Sequence, residues 1–327
     1  MTLPSPRTPD PMAAPPLRWG VLGSGWIAER FIGSLRRHTR QQVVAIARSP
    51  RFGVERVYAS YEELVADPDV DVVYVATPHP MHLACARLAL EAGKPVLVEK
   101  PLGLSADEAT EIAALAAARG LFCMEALWTF FLPRFDVVRQ VLESGALGEI
   151  HTVLADHGES FPPDHRILRS DLAGGPLNDL GIYPVSLATW VLGAPASVAA
   201  AGQPHPAGVD AQVGAVLADA GGNQAVVHTT LLSDTPTTAT IAGGEGALFL
   251  PGPFFMPGDV VVGEHRHTEP AIAHDALHFE AAEVARCIAE GRLESPLRPL
   301  ADSIVTLRAM DEIRRQCGIE RPGCQAT

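Results

Sequence analysis

The strongest constraint on this chain is the stretch Trp19-Gly-Val-Leu-Gly-Ser-Gly-Trp-Ile-Ala28, where an apolar run enters a glycine-rich turn. Val21 and Leu22 fit the end of a buried strand, and residues 26–35 fit a helix. Gly23 permits the tight strand-to-helix turn, Gly25 lets backbone approach a pyrophosphate, and Ala28 keeps the helix close to the sheet. The N–H groups at the start of the helix then point at the anion. Gly23, Ser24, Gly25, Trp26, Ile27 and Ala28 are therefore the expected cradle of a dinucleotide. An ordinary βα turn can share this G-x-G-x-x-A spacing, so the motif counts only in the right setting. That setting is present, because the turn opens an alternating β/α pattern.

The pattern runs through the first half of the chain. Strands are expected at 18–22, 42–47, 57–59, 70–76, 95–99 and 122–125, and helices at 26–35, 61–66, 81–92 and 105–119. The last helix opens on the capping box Ser105-Ala-Asp-Glu108 and stops at Gly120. Such alternation implies a doubly wound parallel sheet, a Rossmann domain over residues 17–127. Only a short connection separates residue 47 from residue 57, less than a parallel crossover normally needs, so the second crossover helix is expected to be reduced to a loop. After Pro133 the character changes. Helices fit 137–143 and 177–192, the second after Gly174-Gly175 with Pro176 at its first position. Strands follow at 150–156, 198–202, 211–218, 224–231, 237–242, 247–250 and 259–262, then helices at 275–290 and 301–317. Residues 128–327 thus read as an α+β domain with an open, largely antiparallel sheet. His265-Arg-His267 reads as a solvated turn.

Composition narrows the class. At 327 residues the chain is long enough for two cores, since single cores stop growing at roughly 250–300 residues. A net charge of −13 argues against a nucleic-acid-binding surface and against anionic membranes. Cys85, Cys123, Cys287, Cys317 and Cys324 are scattered without a C-x-x-C pair, which predicts neither disulfides nor a zinc site. Residues 1–16 are proline-rich without an apolar segment and are expected to be a disordered tail rather than a signal peptide. No apolar run reaches the roughly 20 residues that span a bilayer. These features together predict a soluble, cytoplasmic protein.

Three motifs occur in order: the glycine turn, Val96-Leu-Val-Glu-Lys-Pro101, and Gly174-Gly-Pro-Leu-Asn-Asp-Leu-Gly-Ile-Tyr183. Together they resemble the glucose–fructose oxidoreductase/inositol dehydrogenase (Gfo/Idh/MocA) family over nearly all of residues 17–320. Met124-Glu-Ala-Leu-Trp128 and the closing Glu283-Val-Ala-Arg-Cys and Glu294-Ser-Pro segments are most similar to its trans-dihydrodiol dehydrogenase and NADP-dependent D-xylose dehydrogenase branch. The resemblance implies hydride transfer between NADP and a hydroxyl carbon of a sugar, polyol or cyclic diol. Many members of the family pair through the sheet of the second domain. The chain departs from the branch in having Phe130 where an arginine is usual, and in the shortened connection between Ser49 and Arg56.

Oxidising an alcohol needs a group that takes the hydroxyl proton beside the nicotinamide. Lys100 follows a buried strand at the sheet edge where open α/β sheets bind ligands, and Asp179 and Tyr183 lie one helical turn apart. From the residues alone, Lys100 could be a surface lysine, Asp179 a helix-dipole partner and Tyr183 a core tyrosine. The resemblance implies instead that Tyr183 is the base, Lys100 lowers its pKa and holds the substrate oxygen, and Asp179 orients sugar or lysine. Glu99, Thr77, Pro78, His79 and His82 are expected at the cofactor. Trp128 would cover the nicotinamide or fill the core. His79 and His82 lack a third ligand, so no metal is expected. Phe161, Asp164, His165 and Arg169 would sit in a substrate loop, or simply be solvated. The second strand ends Ala45-Ile-Ala-Arg48-Ser49 without the acid that holds a ribose 2′-hydroxyl, so Arg48 and Ser49 are expected to bind the 2′-phosphate and to favour NADP over NAD. An NAD-dependent glycosidase and a non-catalytic sugar or cofactor sensor are the alternative readings. Apolar strand 213–217 in an open sheet predicts a homodimer or homotetramer.

Overall fold

The computed structural model describes residues 3–269 and 276–319. Strands β1 (Arg18–Leu22), β2 (Gln42–Ala47), β3 (Arg56–Tyr58), β4 (Val72–Val75), β5 (Val96–Glu99) and β6 (Cys123–Ala126) form one sheet in the order β3-β2-β1-β4-β5-β6. All pairings are parallel. Helices α1 (Trp26–His38), α2 (Tyr61–Val65), α3 (His82–Glu91) and α4 (Ala106–Arg119) cross over between them. Strands β4, β5 and β6 are buried at every residue, as a sheet covered on both faces requires. The order reverses between β1 and β4, which opens the crevice where such sheets take ligands. Gly23 lies there with φ +107°, and a Cβ on it would come 2.3 Å from the Ala76 carbonyl oxygen, so the turn admits glycine alone. The connection between β2 and β3 holds one short 3₁₀ turn, Arg51–Gly53, in place of a crossover helix. Arg36 of α1 secures it by donating to the carbonyls of Phe52 and Gly53.

Among the described residues the second sheet has eight strands. They are β7 (Ile150–Gly158), β8 (Ser197–Pro204), β9 (Asp210–Ala218), β10 (Gln224–Thr230), β11 (Ala239–Gly243), β12 (Gly246–Leu250), β13 (Val260–Val262) and β14 (His265–His267), in the order β14-β13-β12-β11-β7-β10-β9-β8. Among these described strands only β7 and β10 pair in parallel. His265–His267 is therefore an edge strand rather than a free turn, and its exposed charged residues suit an edge. Helices α5 (Pro133–Glu143), α6 (Pro176–Asp179), α7 (Ile182–Leu192), α8 (His278–Ala289) and α9 (Leu300–Cys317) are the further helices among the described residues. Helix α8 packs on α1, and α9 on α4, so the last two described helices return to the first sheet. The helix expected to start at 275 begins at His278, and residue 275 itself lies outside the described residues.

Two further expectations are corrected. The single helix expected at 177–192 is broken after Asp179: Leu180 (φ −109°, ψ −46°) stays in the right-handed region, but the N–H groups of Leu180 and Gly181 both donate to the Pro176 carbonyl, and α7 starts afresh at Ile182. The described part of the expected disordered tail, residues 3–16, is docked instead. Arg7 pairs with Asp136 and Glu143 of α5, and Gln140 donates to the Ser5 carbonyl. Ala14 is buried against Ala282 and Ala285 of α8. The segment carries no periodic apolar pattern because it uses isolated anchors rather than an element of its own.

Candidate active site

Lys100 follows β5, and its peptide bond to Pro101 is cis. Its Nζ donates to the Asp179 carbonyl oxygen at 2.8 Å and stands 4.9 Å from the centre of the Tyr183 ring. The first sheet thus reaches both expected partners on the second half of the chain. The segment behind Lys100 is pinned as well: the Leu102 N–H donates to Glu125, whose carboxylate is buried against Arg298 at 3.1 Å and accepts from Ser303. Burial disfavours the Lys100 ammonium and lowers its pKa, while Asp179 and Glu99 act in the opposite sense.

Tyr183 is buried in an aromatic box. Its ring stacks on Phe255 at 4.3 Å, Phe255 stacks on His157 at 4.6 Å, and Trp128 Nε1 donates to the Tyr183 hydroxyl at 3.2 Å. Burial pushes the Tyr183 hydroxyl above its ordinary pKa, and the negative charge of Glu99 and of Asp179 adds to this. The Trp128 hydrogen bond opposes it. The expected lowering of the Tyr183 pKa is therefore not found in the protein by itself. Loss of water around the phenolate outweighs the nearby positive charge.

The Asp179 carboxylate turns away from Lys100, to which it offers only its backbone carbonyl. Arg166 holds the carboxylate at 2.6 Å, and His79 Nε2 lies 3.7 Å from it. Burial opposes the charged form of Asp179, but His79, Arg166 and Lys100 outweigh burial and hold it below the usual carboxylate range. His79 is pushed down to about 3 by burial, so its charge acts on Asp179 only in acid, and at neutral pH Arg166 and Lys100 are the charges that hold the carboxylate.

The expected cofactor residues divide. Gly23, Ser24, Gly25, Trp26, Ile27 and Ala28 form the turn and first helical turn as anticipated, and no side chain caps the start of α1. A Cβ on Gly25 would meet nothing within 4 Å, so open space adjoins these N–H groups. Trp26 is exposed, with the Arg30 guanidinium 5.5 Å from its ring. Arg48 is exposed at the end of β2 with φ +62°, its guanidinium 4.2 Å from the Tyr61 ring centre. Ser49 is buried and accepts from the Arg51 N–H. Thr77, Pro78 and His79 line the end of β4, and the Thr77 hydroxyl has no hydrogen-bond partner among the described residues. This set fits a phosphate-bearing dinucleotide: an uncapped helix start at the switch point, and an exposed arginine at the next strand end.

His82 and Glu99 do not face that space. His82 is fully buried, its Nδ1 2.8 Å from the Pro101 carbonyl and its Nε2 3.0 Å from that of Thr77; burial disfavours the imidazolium, so the neutral ring sits between the two turns and donates to one of the two carbonyls. Glu99 accepts from the Tyr74 hydroxyl and the Lys100 N–H in the core. In the loop before α6, Phe161 and His165 stack at 4.4 Å. Asp164 is solvated, and Arg169 is exposed and bound to Asp171. Phe130 packs among Phe135, Trp190 and Arg298, so its departure from the related branch is a matter of core packing. Among the described residues no cluster of three His, Cys, Asp or Glu could hold a metal. Arg166, Phe255 and His157 escape sequence reasoning. Arg166 adjoins the selected His165, but Phe255 lies in the turn after β12 and carries no local signal.

Known proteins match this architecture along its length. The family model for the oxidoreductase family with an NAD-binding Rossmann fold matches residues 17–127, and that for the GFO/IDH/MocA C-terminal domain matches 135–249. The trans-1,2-dihydrobenzene-1,2-diol dehydrogenase of Bos taurus is 37% identical, covering 94% of this chain and 98% of its own. The human protein of that name is 35% identical over the same shares. Among solved structures, KijD10, a 3-ketoreductase from Actinomadura kijaniata in complex with NADP and TDP-benzene, is 28% identical with a TM-score of 0.80, covering 93% of this chain and 98% of its own. A levoglucosan dehydrogenase in complex with NADH and levoglucosan shares the fold at 20% identity and a TM-score of 0.81, with coverage of 93% and 98%. The chain belongs to the Gfo/Idh/MocA family of NAD(P)-dependent oxidoreductases.

Proposed function

We propose that this oxidoreductase transfers hydride between NADP and a hydroxyl carbon of a cyclic diol or sugar, with Lys100 and Tyr183 as its catalytic residues. The observation that carries the reading is the convergence of Lys100 on Asp179 and Tyr183 across the two halves of the chain. NADP, when bound, supplies the hydride acceptor. Lys100 has three donors and uses one on the Asp179 carbonyl, which leaves two for a substrate oxygen. Tyr183 exchanges the hydroxyl proton, and Trp128 stabilises its phenolate by donating to it. Because burial raises the Tyr183 pKa, the group is protonated at neutral pH and suited to donate a proton during carbonyl reduction. Oxidation accordingly speeds up as pH rises. Asp179 is locked by Arg166 and positions the Lys100 ammonium through its backbone carbonyl.

The aromatic surfaces of Tyr183, Phe255 and His157, with the Phe161–His165 pair nearby in the loop, favour a ring-shaped substrate. Arg48 and the uncapped start of α1 favour NADP. The dinucleotide domain spans 17–127 and the substrate domain 128–327. A row of residues across the open face of the second sheet, including Val216, Val226, Leu154 and Phe249 in register, favours pairing with a second copy. Leu154 is 45% exposed, Val226 42% and Phe249 40%. No described helix is long and apolar enough to cross a membrane, and a cytoplasmic location is part of the reading. A panel of cyclic diols and sugars, followed at the NADPH absorbance band with NADP and NAD in parallel, tests it. Turnover of a diol or sugar with a preference for NADP is expected. Release of an aglycone without net cofactor turnover would replace this reading by the glycosidase one.

A further inference from the structure

Behind Lys100 lies a second, enclosed group of ionisable residues to which the reaction assigns no role. Glu280 of α8 and Glu99 of β5 are both buried, Glu280 completely. Glu99 is well supplied: one carboxylate oxygen accepts from the Tyr74 hydroxyl of β4, the other from the Lys100 N–H at 3.2 Å. Glu280 has no such support. Neither of its oxygens has a hydrogen-bond partner among the described residues; the charge that acts on it is that of Glu99, and Tyr74 of β4 and Tyr183 of α7 are the other titratable groups in its electrostatic reach. Its neighbours on α8 are committed elsewhere, His278 to Ser34 of α1 and Glu283 to Ser295.

An ionised carboxylate without donors, facing a second carboxylate in a dry core, is the arrangement proteins avoid by keeping a proton. The position of Lys100 points the same way. Two adjacent negative charges would draw its ammonium back toward β5, yet that ammonium reaches forward to the Asp179 carbonyl and the Tyr183 ring. We propose that Glu280 is un-ionised at neutral pH, that Glu99 and Glu280 hold one proton and one negative charge between them, and that Glu280 is thereby a positioning residue for Lys100. The single charge balances the single ammonium, with Arg166 already matched to Asp179. The direction of the Glu280 titration, upward through burial and Glu99, agrees.

The link to Lys100 rests on the functional reading above, but the protonation state does not, so infrared spectroscopy of the intact protein separates the two. At pH 9 the exposed carboxyls are ionised, as is Glu269, which burial pushes up to about 7. The wild type should still show the carbonyl stretch of an un-ionised carboxyl. That band should shift on labelling glutamate with ¹³C and disappear in Glu280→Gln. Absence of the band from the labelled wild type, or its survival in Glu280→Gln, overturns the proposal, and the wild-type measurement stands even if the variant does not fold. In turnover, Glu280→Gln keeps the charge of the pair, so the pH limb assigned to Tyr183 should stay in place. If Glu280 were ionised, losing its charge would move that limb to lower pH, which also overturns the proposal.

Discussion

The Lys100 side of the site and the Tyr183 side are held by different kinds of contact. Lys100, the Gly23 turn and Arg48 all stand at C-terminal ends of parallel strands, where one repeated βα geometry places each of them. Tyr183, Asp179, Arg166, Trp128 and Phe255 come from a broken helix, a loop and two turns, and they converge only through side-chain contacts. The first side presents groups of fixed direction suited to a common cofactor. The second is an aromatic and ionic assembly whose shape depends on each member, which suits selection among substrates. The difference predicts that changes on the Lys100 side act on chemistry and cofactor choice, and changes around Tyr183 act on substrate recognition as well as on rate.

The largest expected effect is that of removing the charge on Lys100. Lys100→Met should cut turnover by roughly two to four decades, the scale of a lost proton-transfer or substrate-oxygen contact. Adding Tyr183→Phe should cost little more, because groups acting as one unit are not additive. Steady-state rates of the two single variants and the double variant test whether the two sides act together. Next in size is cofactor choice. Arg48→Ala should weaken NADP by about tenfold or more while leaving NAD nearly unaffected, as expected for one lost charge-assisted contact of about 1.5–3 kcal/mol. The ratio of kcat/KM for the two cofactors reads this directly, and equal losses would show that Arg48 has no part in the distinction.

Arg166→Gln is expected to be milder, because the Arg166 side chain is half exposed and water screens its pair with Asp179. About 1 kcal/mol is expected, seen as a several-fold rise in substrate KM. The variant also has a pH signature. Asp179 is depressed in the folded protein, so the stability it contributes is complete above its unfolded pKa of about 3.9 and fades as pH falls through its lower folded value. Removing Arg166 lessens the depression, so acid unfolding should begin at higher pH than in wild type. An unchanged acid transition in a denaturation series would show that His79 and Lys100 suffice to hold the charge.

The same contrast decides what was legible in the sequence. The parallel sheet, the glycine turn, the capped helix α4 and the shortened β2–β3 connection are local consequences of strand and helix periods, glycine placement and chain length. Lys100, Asp179 and Tyr183 were legible as a set only because their motifs stand in a familiar order. What they touch was not: a continuous helical pattern from 177 to 192 conceals the break at Leu180, so the facing of Asp179 and Tyr183 inferred from a four-residue spacing misses that the carboxylate turns to Arg166. The contacts of Phe255 with Tyr183 and His157 and the pairing of Glu99 with Glu280 join residues far apart in the chain, and no local pattern reports such contacts. The docking of residues 3–16 was hidden for a related reason, since proline-rich composition describes the conformational freedom of a segment and not the anchors that remove it.

The central claim is that Tyr183 exchanges the substrate proton opposite Lys100, and the pH dependence of NADPH formation in wild type and Tyr183→Phe tests it most directly. The wild-type rate of alcohol oxidation should rise with pH as Tyr183 ionises, starting from a group that burial keeps protonated at neutrality. In Tyr183→Phe the rate should fall by roughly two to four decades and lose that rising limb, with cofactor binding and fold retained. Near-normal turnover in Tyr183→Phe, with the same rise against pH, would contradict the account and move the proton acceptor to another group.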